Sequence, residues 1–206
     1  MKPTGVVHLG NIKLFKTVRD NLSTVLFTLV FTLGVLISVI LVSKHCLNRE
    51  SEFILDFFNQ FRTSYSFSKV FFIIYIFEFT FIFFIFIFST SLFGIAFIPA
   101  IVFMRGTISG LLLCGLYSTM GLTGISLNLL TLIPSTVINV LSLISAASYG
   151  LEFSYTLSKI IINNNHYDKE LSFKTMVKRI SLPIIIIAFG SLLEVFSMFV
   201  FKKFFI

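Results

Sequence analysis

The sequence is poor in charge. Only 12 % of its 206 residues are Asp, Glu, Lys or Arg, about half of the roughly 25 % that a soluble domain carries on its surface. With a hydrophobic fraction of 56 % and a mean hydropathy of +0.99, a soluble globular domain is excluded. Cysteine is also scarce. Cys46 lies just past the first apolar run and Cys114 inside a later one, which does not suit a disulfide pair. Lys44 and His45 precede Cys46 where a lipoprotein cleavage site needs small residues. Tryptophan is missing, while 28 phenylalanines and many isoleucines and asparagines are present; this reads as the drift of an AT-rich bacterial genome and carries nothing about mechanism.

Catalytic patterns are missing too. There is no HExxH, GxSxG, Walker A or CxxC motif and no paired intramembrane aspartate, and His8, His45 and His166 lie in three separate non-membrane segments. The expectation is a protein that is not an enzyme and needs no cofactor or metal. Any energised transport would need a separate ATPase. The net charge of +7 would suggest nucleic acid in a soluble protein. Here the basic residues sit between apolar runs, where they set membrane topology instead.

What is present is an all-α pattern of apolar runs, the signature of a polytopic membrane helical bundle. Residues 1–21 form a polar N-terminal segment with Lys2, Lys13, Lys16 and Arg19. The run that follows is too long for a signal sequence and lacks a small-x-small cleavage site, so it reads as a retained helix. From Val70 to Met104 the single charge is Glu78. One helix of that length would measure about 52 Å against a hydrocarbon core of about 30 Å, so it must break, most naturally at Ser89-Thr90-Ser91. The expected spans are 22–43, 70–89, 92–121, 135–162 and 180–201, within one membrane domain over 22–206. Residues 53–61 are spaced for a short surface helix.

Segment 122–134 is too short to cross and is expected to be re-entrant. With five spans, the cytoplasmic side holds Lys2, Lys13, Lys16, Arg19, Lys159, Lys169, Lys174, Lys178 and Arg179. The outside holds fewer: Lys44, Arg49, Arg62, Lys69, Lys202 and Lys203. Six full spans would reverse this bias, so the N-terminus is expected in the cytoplasm.

The centre of the chain, 94–154, carries most of the polar and small residues found in apolar sequence. Glu78, Arg105 and Glu194 fall inside expected spans, where each charge costs at least about 2.5–3.5 kcal/mol to insert. Counted along the expected spans, Glu78 is roughly 12 Å from the outer end of its helix. Arg105 and Glu194 are roughly 20 and 21 Å from the inner ends of theirs. All three therefore share one level, and Arg105 is expected to pair with Glu194, Glu78 or both. The plainer reading is a structural pair that fixes register; the functional one is an ion or proton relay, or the polar lining of a peptide path. Gly106-x-x-x-Gly110 allows close helix approach, either within the bundle or between copies in a homo-oligomer. After Pro134, Ser135 and Thr136 can satisfy the free N–H groups of a helix start, with Asn139 one turn on, and an anion or peptide carboxylate could be held there. Glu152 reads as a solvated interfacial residue.

In sequence order, Ile98-Pro99, Arg105-Gly106-x-x-x-Gly110, Gly121-Leu122-x-Gly124, Leu132-Ile133-Pro134 with Ser135 to Asn139, Gly150-Leu151-x-Phe153-Ser154, and Ser191-Leu192-Leu193-Glu194-Val195-Phe196 follow one another. Together they resemble the core signature of the stage II sporulation protein M family over roughly residues 20–206. Two departures leave the branch open: Ser135-Thr136 stands where the family usually has Gln-Asn, and the second helix is unusually rich in phenylalanine. The resemblance implies a noncatalytic multi-spanning protein of the bacterial plasma membrane. One branch is a scaffold or accessory subunit of a sporulation engulfment complex that recruits a cell-wall hydrolase. The alternative branch assists maturation, export or immunity of circular bacteriocins, hydrophobic peptides, beside an ABC-type ATPase. The implied partners are thus the lipid bilayer, other membrane proteins of either kind and, in the second branch, a peptide. Nucleic acid is not among them.

Overall fold

The computed structural model describes residues 8–45, 66–121, 126, 129, 132–163 and 173–205. Five helices account for nearly all of them: α1 His8–His45, α2 Phe67–Ser89, α3 Gly94–Met120, α4 Ile133–Asn163 and α5 Phe173–Phe205. Each contains a stretch long and apolar enough to cross a membrane: Leu22–Val42, Phe67–Ser89, Gly94–Ser118, Ile133–Ile161 and Thr175–Val200. No strand occurs among the described residues. The fold is a polytopic helical bundle, as the hydropathy pattern requires. Most of the expected re-entrant segment 122–134, and the surface helix expected at 53–61, lie outside the described residues.

Two helices outrun their apolar spans. α1 begins at His8, so its polar first part, with Lys13, Lys16 and Arg19, is helical where the sequence reading had a separate N-terminal segment. α5 begins at Phe173, two residues before its apolar span, and carries Lys174, Lys178 and Arg179 in its first two turns. Hydropathy marks where a helix can lie in hydrocarbon, whereas backbone hydrogen bonding continues into water as long as no breaker intervenes.

The α2–α3 break falls where length demands it. α2 stops at Ser89, and a tight turn follows in which the Ser91 N–H donates to Phe88 (3.0 Å) and the Gly94 N–H to Ser91 (3.2 Å). Gly94 is required here. A Cβ at this position would stand 2.7 Å from the Ser154 hydroxyl oxygen and would run into the Phe88 carbonyl. Ser154 in turn donates to the Ser91 carbonyl at 2.8 Å, fastening the turn to α4. At the other end, α3 closes on Gly121 at φ +59° and ψ −132°, whose N–H donates to Tyr117 at 2.8 Å, a backbone conformation that favours glycine.

Lipid offers helices no hydrophobic reason to associate, so packing and small residues must do it. The core combines branched side chains (Ile82, Ile85, Ile98, Val102, Leu143, Ile187) with Ala146 and Ala147, all essentially buried. α4 is the most enclosed span and α1 the least. Large apolar residues cover the outer surface, among them Leu29, Phe72, Leu141, Ile185 and Phe196, as a bilayer-facing bundle requires. Outward hydroxyls are satisfied locally: Thr28, Thr32, Thr80 and Thr107 donate to carbonyls three or four residues back. The phenylalanine excess of α2 also has a local order. Phe71, Tyr75, Phe79 and Phe83, one turn apart, stack in a ladder with centroid separations of 6.0, 6.0 and 6.2 Å.

Candidate functional site, a buried polar cluster

The centre of the bundle is organised by a buried ion pair. Glu78 lies eleven residues before the end of α2 (89 minus 78) and Arg105 eleven after the start of α3 (105 minus 94). Two antiparallel helices joined by a short turn thus bring both to one level, about 16 Å from the hairpin end. The Arg105 guanidinium grips both carboxylate oxygens. Nε donates to Glu78 Oε2 at 3.1 Å and Nη2 to Oε1, the bidentate fork that arginine geometry favours. Nη1 donates to the Ser109 hydroxyl (2.5 Å), which donates to the Arg105 carbonyl (3.0 Å). Phe77 and Phe81 flank the guanidinium carbon, their ring centroids 5.8 and 5.9 Å away. Arg105 and Glu78 are 5 % and 3 % exposed. A lone charge at this depth would be costly, and the two side chains offer each other the partner that hydrocarbon does not.

Glu194 belongs to the same region but is held differently. The Ser135 hydroxyl is its partner, 3.2 Å from Oε2, and the carboxylate lies within electrostatic range of both Glu78 and Arg105. Of the two partners open to Arg105 in the sequence, Glu78 takes the hydrogen bonds. Ser135 was also expected to cap the helix start. Instead α4 begins at Ile133, which places Ser135 inside the first turn, and its hydroxyl faces the Leu132 carbonyl (2.9 Å) and Glu194. Pro134 stands in that first turn, where a missing N–H costs nothing, and is exposed. The carboxylate that meets this helix start is thus the chain's own.

Gly106 and Gly110 form an internal crossing. A Cβ at Gly106 would collide with the Phe31 carbonyl of α1, and one at Gly110 would stand 2.7 Å from the Val35 carbonyl and run into the Ser38 hydroxyl. The α1 side is reciprocal: a Cβ at Gly34 would lie 2.5 Å from the Phe103 carbonyl. Asn139 is 1 % exposed and faces Gly190 on α5. Gly34, Ser38, Ser109, Ser142 and Ser191 were missed in the sequence. A signal existed only for Ser109, one helical turn after Arg105. Glu152, read as solvated, reaches Arg179 of α5 at 3.7 Å, partly exposed.

The model for Stage II sporulation protein M matches residues 27–197, most of the chain. The chain belongs to the stage II sporulation protein M family. The match spans both halves of the polar cluster, from Gly34 on α1 to Glu194 on α5. No curated protein and no solved structure matches the chain. Family membership and five apolar helices together make this a multi-spanning membrane protein of the stage II sporulation protein M family.

Proposed function

We propose that the chain is a noncatalytic scaffold or accessory subunit of a membrane complex of the sporulation engulfment type. It would reside in the bacterial plasma membrane with its N-terminus in the cytoplasm. The observation that carries this reading is the use of the intramembrane charges. Arg105, 5 % exposed, gives three guanidinium N–H groups to Glu78 and Ser109 and lies beside two phenylalanine rings, a buried clamp between neighbouring helices. A transport path lined by that arginine would need part of it free toward a lumen. The stage II sporulation protein M assignment supports the choice of complex, and the basic segment ahead of the α5 span supports the orientation.

The test is recovery of the tagged protein from its native membrane in mild detergent, with identification of what copurifies. Recovery of a cell-wall hydrolase with a membrane partner supports the scaffold. Recovery of an ABC-type ATPase or a small hydrophobic peptide would replace it with the bacteriocin reading. Neutralising Glu78 separates the two again: a scaffold loses activity together with assembly, whereas a transporter loses activity while still assembled.

A further inference from the structure

The seam between α4 and α5 holds more polar atoms than its own hydrogen bonds use. Ser135, Asn139 and Ser142 recur at one-turn spacing on α4, facing α5. Ser142 is satisfied, donating to the Pro183 carbonyl at 2.7 Å. Asn139 is not: at 1 % exposure, neither its amide oxygen nor its amide nitrogen has a partner. Ser191, fully buried on α5, also has an unpartnered hydroxyl. The two residues belong to the two helices that meet at this seam, Asn139 to α4 and Ser191 to α5. The Asn139 Oδ1 occupies the space a side chain at Gly190 would fill, next to Ser191 in the chain.

One turn away, the oxygens are again in excess. The Ser135 hydroxyl has a single proton and two acceptors in reach, the Leu132 carbonyl at 2.9 Å and Glu194 Oε2 at 3.2 Å. Leu132 itself has π-helical backbone, a local widening that recurs at functional sites. The charge balance points the same way. The Arg105 guanidinium is spent on Glu78, and the partner that the Glu194 carboxyl meets is a neutral hydroxyl, Ser135, so among the described residues no cation is hydrogen-bonded to Glu194. A buried carboxylate beside unpartnered amide and hydroxyl oxygens lacks one positive charge and an acceptor-seeking centre. Hard oxygen donors around a single net negative charge suit a small monovalent cation. A divalent ion would demand more carboxylates, and among the described residues no cluster of three or more acidic, histidine or cysteine side chains occurs.

We propose that Glu194, Asn139, Ser135 and Ser191 form a binding site for a sodium-like monovalent cation between α4 and α5. The ion supplies the missing charge and fixes how the two helices dock. The site does not depend on the scaffold reading and would stand beside any partner.

The test uses the full-length protein in lipid nanodiscs. Thermal unfolding is followed while sodium chloride replaces choline chloride at constant ionic strength. The expected result is a saturable rise in Tm of about 3 °C or more, lost in Glu194→Gln. Ser191→Ala and Ser135→Ala, which keep the carboxylate, should shift half-saturation to higher sodium. Ser148→Ala should leave the response unchanged. Identical unfolding in the two salts overturns the proposal, as does an undiminished sodium response in both serine variants. A dependence on pH alone that Glu194→Gln removes would overturn it in favour of a proton site. Should the variants fail to fold, saturable binding of radioactive sodium to the wild-type protein, competed by lithium but not by choline, decides the question, and its absence overturns the site.

Discussion

Removing one member of the Glu78–Arg105 pair should be far more damaging than removing both. Arg105→Met leaves Glu78, 3 % exposed, with no guanidinium to accept from and removes the cation beside Phe77 and Phe81. Breaking a buried pair from one side costs about 3–5 kcal/mol, equivalent to roughly 6–20 °C in Tm for a domain of this size. Glu78→Met strands the arginine and should cost a similar amount. The double variant Glu78→Met/Arg105→Met leaves no buried charge and puts flexible apolar side chains into the same volume. It should fall within about 1 kcal/mol of the wild type or exceed it, since apolar replacements of buried ion pairs are often neutral or stabilising. Thermal unfolding of the four proteins in one lipid nanodisc preparation, followed by circular dichroism, measures the coupling directly. Additive losses, with the double variant the least stable, would refute the claim that the pair is a mutually neutralising unit.

The charge reversal Glu78→Arg with Arg105→Glu should likewise recover assembly that either single reversal destroys, read as a monodisperse peak on size exclusion. Gly106→Ala and Gly121→Ala separate close approach from backbone strain: the first drives a methyl into the Phe31 carbonyl of α1, while the second has nothing within 4 Å but keeps a positive φ. Gly121→Ala should cost about 1–3 kcal/mol and leave α1 in place. Gly106→Ala should weaken the α1–α3 crossing itself, detected as loss of a disulfide cross-link engineered between these helices. Glu152→Gln, which loses a partly exposed contact of 3.7 Å to Arg179, should change stability by no more than about 1 kcal/mol.

The span count and the α2–α3 break were legible because both follow from a length limit that hydrocarbon imposes on any helix. The level shared by Glu78 and Arg105 was also countable, but the equal eleven-residue distances from the turn appear only once the helix is seen to start at Gly94 instead of 92. Azimuth was not countable. At about 100° per residue, an error of one residue in a helix boundary turns a side chain away from its partner, so Glu194 could be placed at the right depth without showing that it meets Ser135. Gly34 had no partner glycine to mark it, and its role exists only because α3 presents Gly106 and Gly110 to it. Asn139 carried a polar signal inside apolar sequence, but whether its amide is satisfied depends on the atoms of α5.

Three of the helix contacts use three different solutions to the same difficulty, that lipid does not drive helices together. α1 and α3 approach through Gly34, Gly106 and Gly110, where dispersion between backbones does the work. α2 and α3 are tied by a charge pair that a short turn places at one depth. α4 and α5 meet through hydroxyls, an amide and a carboxylate. The first two contacts are saturated: a glycine crossing has no spare valence, and the ion pair has cancelled its charge. The third retains unpartnered oxygens and a carboxylate whose hydrogen-bond partner is a neutral hydroxyl, so its free energy can depend on something added from outside the chain. A ligand can shift an equilibrium only where the two states offer it different contacts. In this bundle those contacts lie on the α4–α5 seam, between the helices that flank the 164–172 connection.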